Sequence, residues 1–172
     1  WRAVEPSLSP SMDIQVSSNF ERLFFDLKHR DGGAVTEAMA RFRASGTLPM
    51  TAAEAAEARA LFTAYAFDDE ATVAEIARTW RERGIMLDPH SAVGVAAARA
   101  HRGNGNAGTA MVALATAHPA KFPDAIERAI GVRPELPPHL ADLMTRPERL
   151  VRLPNELKAI EDYVRDHARP LH

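Results

Sequence analysis

The run Thr109-Ala-Met-Val-Ala-Leu-Ala-Thr116 is apolar everywhere but at its ends, and it stops against His118 and Pro119. A stretch of this length with no polar alternation reads as a β-strand covered on both faces. That reading constrains the rest of the chain, because such a strand needs neighbours in its sheet and layers above and below it. Little else is available to pair with it. "GIMLDP" (84–89) reads as a second short buried strand, and "LFTAYAF" (61–67) as either the end of a helix or a third. Two or three strands do not make a self-contained sheet of this class. The chain is therefore expected to be one portion of a larger fold, and its opening on Trp1 rather than Met points the same way.

The remaining pattern is helical. Phe20, Leu23, Phe24 and Leu27 recur at helical spacing from about Ser18, so their stripe is expected to face inward. Val35, Met39 and Phe42 mark a second helix, closed by Gly46. Thr51 and Glu54 have the spacing of a capping box. Asp68 or Asp69 opens a helix carrying Val73, Ile76, Ala77 and Trp80, which Gly84 ends. "SAVGVAAARAHR" (91–102) is a helix of small residues able to pack closely, and "GNGNAG" (103–108) is a turn. Pro119 suits the first turn of a helix reaching about Ile130, and "LPNELKAIEDYVRDHA" (153–168) closes the chain as a helix after proline-rich breaks. Helices, then strand–helix–strand–helix, then helices again make an α/β chain, predominantly helical with few strands.

Composition removes several function classes. The 172 residues carry 21 basic and 23 acidic side chains, so no basic excess suits a phosphate backbone and no nucleic-acid partner is expected. Cysteine is absent, which excludes disulfide and thiolate chemistry and suits a reducing compartment. No apolar stretch approaches membrane-spanning length and no signal peptide opens the chain, so a cytoplasmic location and no membrane partner are expected.

Two corners concentrate polar chemistry. Thr116 ends the expected strand just before a helix, the position where ligands sit in open α/β sheets. The helix mouth and the charge of Lys121 favour an anion there. An ordinary helix cap with a solvated lysine fits equally well. At the other corner an apolar run ends at Asp88, with Pro89, His90 and Ser91 opening a helix. The two corners either face one another across a cleft or are two capped helices. No metal is expected. Asp88, His90 and His118 lack the i, i+4 spacing of a helical site, and lone histidines of this kind read as structural hydrogen-bonders. "RGNGNAG" (102–108) runs from helix to strand, the wrong order for a phosphate loop. The chain has three lysines, Lys28, Lys121 and Lys158. Only Lys121 is near a candidate site, and its surroundings do not look apolar enough for Schiff-base chemistry.

Three stretches resemble motifs of the threonine synthase family in the right order: "LSPSMDIQVSSNFERLFFDL" (8–27), "DPHSAVGVAAA" (88–98) and "LATAHPAKFP" (114–123). "LPNELKAIEDYV" resembles the family's closing helix. The resemblance covers the whole chain and corresponds to the C-terminal portion of such an enzyme. It implies a pyridoxal-5'-phosphate (PLP) enzyme of fold type II, the tryptophan-synthase-β-like fold. The implied reaction is that of a carbon–oxygen lyase acting on phosphates, which converts O-phospho-L-homoserine and water to L-threonine and phosphate. It also implies that residues 1–131 belong to the catalytic body, with a helical insertion over about 18–83 and a cofactor-side strand at 109–116, and that 132–172 form a helical tail.

By the same resemblance, Thr116 matches the hydroxyl that hydrogen-bonds the pyridine nitrogen, while His118 and Lys121 are candidates for the substrate phosphate. "SPSMDI" (9–14) is expected to support the site by packing, with Ser11 as a helix cap. The family's Schiff-base lysine and its glycine-rich cofactor-phosphate loop lie upstream, so no catalytic residue is assigned here and this chain alone is expected to be inactive. Its partners would be O-phosphohomoserine and the rest of a threonine synthase chain. The alternatives are a related PLP-dependent phospho-lyase of the same fold and a non-catalytic helical scaffold.

Overall fold

The structure is a computed structural model that describes residues 4–14, 17–103 and 108–169. Trp1 and most of the turn expected at 103–108 lie outside the described residues. The chain forms two compact units, Trp1–Glu135 and Leu136–His172.

The first unit holds two helical clusters. One is built from α1 (Ser18–Leu27), α2 (Gly32–Ser45) and α3 (Ala52–Leu61). Phe24, Leu27 and Ala38 are its buried centre, with Phe20, Leu23, Val35, Leu48, Met50 and Ala58 packed around them. The expected stripe of α1 thus faces inward. Local signals set the ends: the Asp31 carboxylate accepts from the Ala34 N–H to start α2, and Gly46 ends it at φ 72°. The capping box of α3 is complete. Thr51 Oγ1 accepts from Glu54 N–H at 3.2 Å, and Thr51 N–H donates to Glu54 Oε2 at 2.8 Å. Lys28 Nζ reaches the other Glu54 oxygen at 2.7 Å and ties the end of α1 to the start of α3.

The second cluster joins α4 (Asp69–Arg83), α5 (Pro89–Gly103) and α6 (Pro123–Ile130) around Ile76, Ala92 and Ile126. Within the stretch 18–83, α1 to α3 share the first core and α4 belongs to the second. Asp68 is the cap of α4 and Gly84 closes it at φ 65°.

The buried face of α4 differs from the expected stripe. It consists of Thr72, Glu75, Ile76 and Thr79, while Trp80 is 36% exposed. The reason is that polar side chains are buried when they are satisfied. Glu75 Oε1 accepts from Thr79 Oγ1 at 2.8 Å and from Arg99 Nε of α5 at 2.9 Å, and Thr72 Oγ1 donates to the Asp68 carbonyl. Apolar periodicity counts none of these residues.

The strand expectations are corrected. Among the described residues there is no strand, and the chain is helical rather than α/β. Residues 109–116 are neither helix nor ladder, with Val112 82% and Leu114 75% exposed. A strand exists only through hydrogen bonds to a neighbour, and none is present among the described residues. Ala113 lies beside Gly94 of α5, where an added Cβ would stand 3.9 Å from the alanine methyl. In "GIMLDP", Met86 and Leu87 pack on the second helical core and Ile85 is exposed, so the apolar character serves helix packing. Helix α3 ends at Leu61, and 62–68 continue without helix or ladder.

The helix expected from Pro119 to Ile130 is split. Pro119–Lys121 form one 3-10 turn and α6 begins at Pro123. Proline at 123 has no N–H to donate to residue 119 and disfavours helical geometry at Phe122, which sits at φ −131°, ψ 53°. In the second unit, 3-10 turns at Pro138–Leu140 and Leu143–Thr145 precede α7 (Leu157–His167). Leu157, Ile160 and Val164 share one exposed face of α7. No described helix is long and apolar enough to cross a membrane.

Candidate functional site

The two polar corners meet, and a buried carboxylate joins them. Asp88 is 1% exposed at the mouth of α5, and its two oxygens divide the work. Oδ1 accepts from the His90 N–H at 2.9 Å and lies 3.1 Å from His90 Nδ1. Oδ2 accepts from the Ser91 hydroxyl. Ser91 Oγ in turn accepts from the Thr116 N–H at 3.2 Å.

His90 is held on its other side as well. Its Nε2 accepts from the Ser11 N–H at 3.2 Å, so the ring proton sits on Nδ1 and donates to Asp88. The His90 ring also lies 4.8 Å, centroid to centroid, from Phe122. The N-terminal segment is thus tied to this corner by a backbone hydrogen bond. Ser11 is not a helix cap: it sits inside the 3-10 turn Pro10–Met12 and contributes its backbone N–H. A second tie, Leu8 N–H to Asp69 Oδ1 at 2.9 Å, holds the same segment to α4.

Thr116 is exposed, and its hydroxyl makes no hydrogen bond among the described residues. It does not cap the turn that follows. His118 does, through Nδ1 accepting from the Ala120 N–H at 3.1 Å. That bond leaves the other ring nitrogen of His118 to carry the proton in an exposed position. Because a single 3-10 turn follows, the helix mouth expected here has little dipole to offer an anion. Lys121 supplies the charge instead. Its Nζ is 5.9 Å from the Phe122 ring centroid and has no ion pair among the described residues, whereas Lys28 pairs with Glu54 and Lys158 with Asp162.

The corner thus presents one free hydroxyl, one imidazole N–H and one ammonium on the short segment 116–121, with its backbone anchored from below. Two long-range relationships escaped the sequence. The Ser91–Thr116 bond spans 25 residues and the Ser11–His90 bond spans 79. Only the local part, an aspartate two and three residues before His90 and Ser91, had a readable signal as a helix-opening cap.

Among the described residues the first unit thus has six α-helices, with the mouth of α5 capped beneath a polar corner. Residues 91–164 match the family described as threonine synthase, C-terminal. The chain is 53% identical over 165 residues to the threonine synthase of Pseudomonas aeruginosa, covering 95% of the chain and 35% of that protein. It is 31% identical to human threonine synthase-like 2, over 97% of the chain and 35% of that protein. Among solved structures, PLP-bound threonine synthase from Brucella melitensis matches at TM-score 0.74 and 44% identity, over 98% of this chain and 36% of that one. Yeast threonine synthase matches at TM-score 0.72 and 27% identity, over 95% and 36%. The chain spans about a third of the length of these relatives. Over nearly its whole length the chain is similar, in sequence and in fold, to the C-terminal part of these threonine synthases.

Proposed function

We propose that the chain is the C-terminal portion of a cytoplasmic threonine synthase, a fold-type-II enzyme converting O-phospho-L-homoserine and water to L-threonine and phosphate. In this reading it forms one wall of the PLP site. The observation that carries it is Thr116, which lies in a family motif with its backbone anchored and its hydroxyl free. The donor set fits the cofactor. A hydroxyl is a neutral partner for a pyridine nitrogen, and the corner's buried carboxylate, Asp88, is already engaged by His90 and Ser91. Thr116 thus leaves the nitrogen free of the charge that would hold it protonated. When bound, PLP supplies the electron sink for chemistry at the substrate carbons.

The other residues take supporting roles. Lys121, whose ammonium has no ion pair among the described residues, and His118, through its remaining N–H, attract the phosphate of the substrate. None of the three lysines serves as the Schiff-base lysine: two are ion-paired and Lys121 is exposed. That lysine belongs to the part of the enzyme outside this chain, and the chain alone is inactive.

The test uses the complete protein. It is expected to release threonine and phosphate in equal amounts from O-phosphohomoserine. Thr116→Ala is expected to weaken PLP binding by about fivefold, as for one lost hydrogen bond, and to shift the visible absorbance of the bound cofactor. An unchanged spectrum and affinity would remove Thr116 from the site.

A further inference from the structure

We infer that Asp88, His90 and Ser91 form a clamp that positions Thr116, with Ser91 as the positioning residue in direct contact. The inference rests on reading Thr116 as the cofactor's hydroxyl partner. It goes further by asking what holds that hydroxyl in place.

Residues 109–116 have no ladder, and Thr116 is exposed. Among the described residues its N–H has one partner, the Ser91 hydroxyl at 3.2 Å. A serine hydroxyl carries a single proton. Here that proton goes to Asp88 Oδ2, which turns the oxygen lone pairs toward Thr116. Asp88 has only Oδ2 to offer, because Oδ1 is taken by the backbone and ring of His90. The far end of the same segment is held by the same corner, since Phe122 packs on the His90 ring at 4.8 Å. The stretch carrying Thr116, His118 and Lys121 is therefore pinned at both ends by adjacent residues that one carboxylate orients.

A purely structural role predicts something different. Asp88 also caps α5, through the N–H groups of His90 and Ser91, and that cap does not pass through the Ser91 hydroxyl. Removing the hydroxyl should spare the helix and release Thr116.

The experiment compares Ser91→Ala, Ser91→Thr and Thr116→Ala in the complete protein, with two readouts. One is hydrogen exchange at the Thr116 amide in the PLP-free protein. The other is the absorbance and affinity of added PLP. Ser91→Ala should speed Thr116 exchange by about fivefold to tenfold, as for one lost hydrogen bond. It should also move the cofactor spectrum in the direction that Thr116→Ala does, and Ser91→Thr should restore both. If Ser91→Ala loses its cooperative melt, Ser91→Cys, of similar size and a weaker acceptor, is read in its place. Wild-type exchange and spectrum in the Ser91 variant, beside an altered Thr116→Ala, would overturn the clamp and leave the cofactor reading standing. A Ser91→Thr variant behaving like Ser91→Ala would also overturn it. An unaltered Thr116→Ala would instead overturn the cofactor reading.

Discussion

At the scale of single residues, the carboxylate of Asp88 organises the corner. It accepts from two backbone N–H groups, an imidazole and a hydroxyl while almost fully buried. Removing such an acceptor leaves several donors without partners. Asp88→Ala is therefore expected to lower the stability of the complete enzyme by about 3 kcal/mol, measured by urea unfolding. A change within about 0.5 kcal/mol, as at an ordinary surface site, would mean the network contributes little. The residue types at this corner were legible in the sequence, and so was the capping spacing of Asp88 with His90 and Ser91. The partners of Ser91 and His90 were not, because they arrive from 25 and 79 residues away.

At the scale of elements, helix ends follow local rules closely. Gly84 ends α4 in the left-handed region, and a Cβ there would meet nothing within 4 Å. Gly84→Ala is expected to cost about 1 kcal/mol from backbone strain alone, read as a lowered melting temperature. The start of α3 carries a pH signature. Hydrogen bonding from Lys28, then from the Thr51 backbone, holds the Glu54 carboxyl below its ordinary value of 4.5. The unfolded chain takes up that proton at a higher pH than the folded one. The stabilisation is therefore complete above the ordinary value and is lost as pH falls through the lowered folded value. The stability gap between wild type and Glu54→Gln should close on acidification through that range, and a gap that stays constant would contradict the assignment. Elements failed to be legible where burial was polar or pairing was needed. The buried face of α4 is built on Thr72, Glu75 and Thr79, which no apolar count detects. The run 109–116 looked like a strand from composition, yet composition cannot supply the neighbour that makes one.

At the scale of the whole molecule, the open apolar surface of 109–116 matters most. Val112 and Leu114 face water in a chain that spans about a third of its relatives. In the proposed enzyme the remainder covers them. Val112→Asp is then expected to destabilise the complete protein by about 2 kcal/mol or more, measured by thermal or urea unfolding. A side chain that stays in water would tolerate the change within about 0.5 kcal/mol. The amino-acid sequence was sufficient for α1 to α4, for the caps at Gly46, Thr51, Asp68 and Gly84 and for the motifs, because those depend on groups within about four residues of each other. Which face of α4 is buried, and how Thr116 is tethered to Ser91 beneath it, emerged only in the folded chain. Those features depend on side chains brought together across long stretches of sequence, and no local spacing encodes such a meeting.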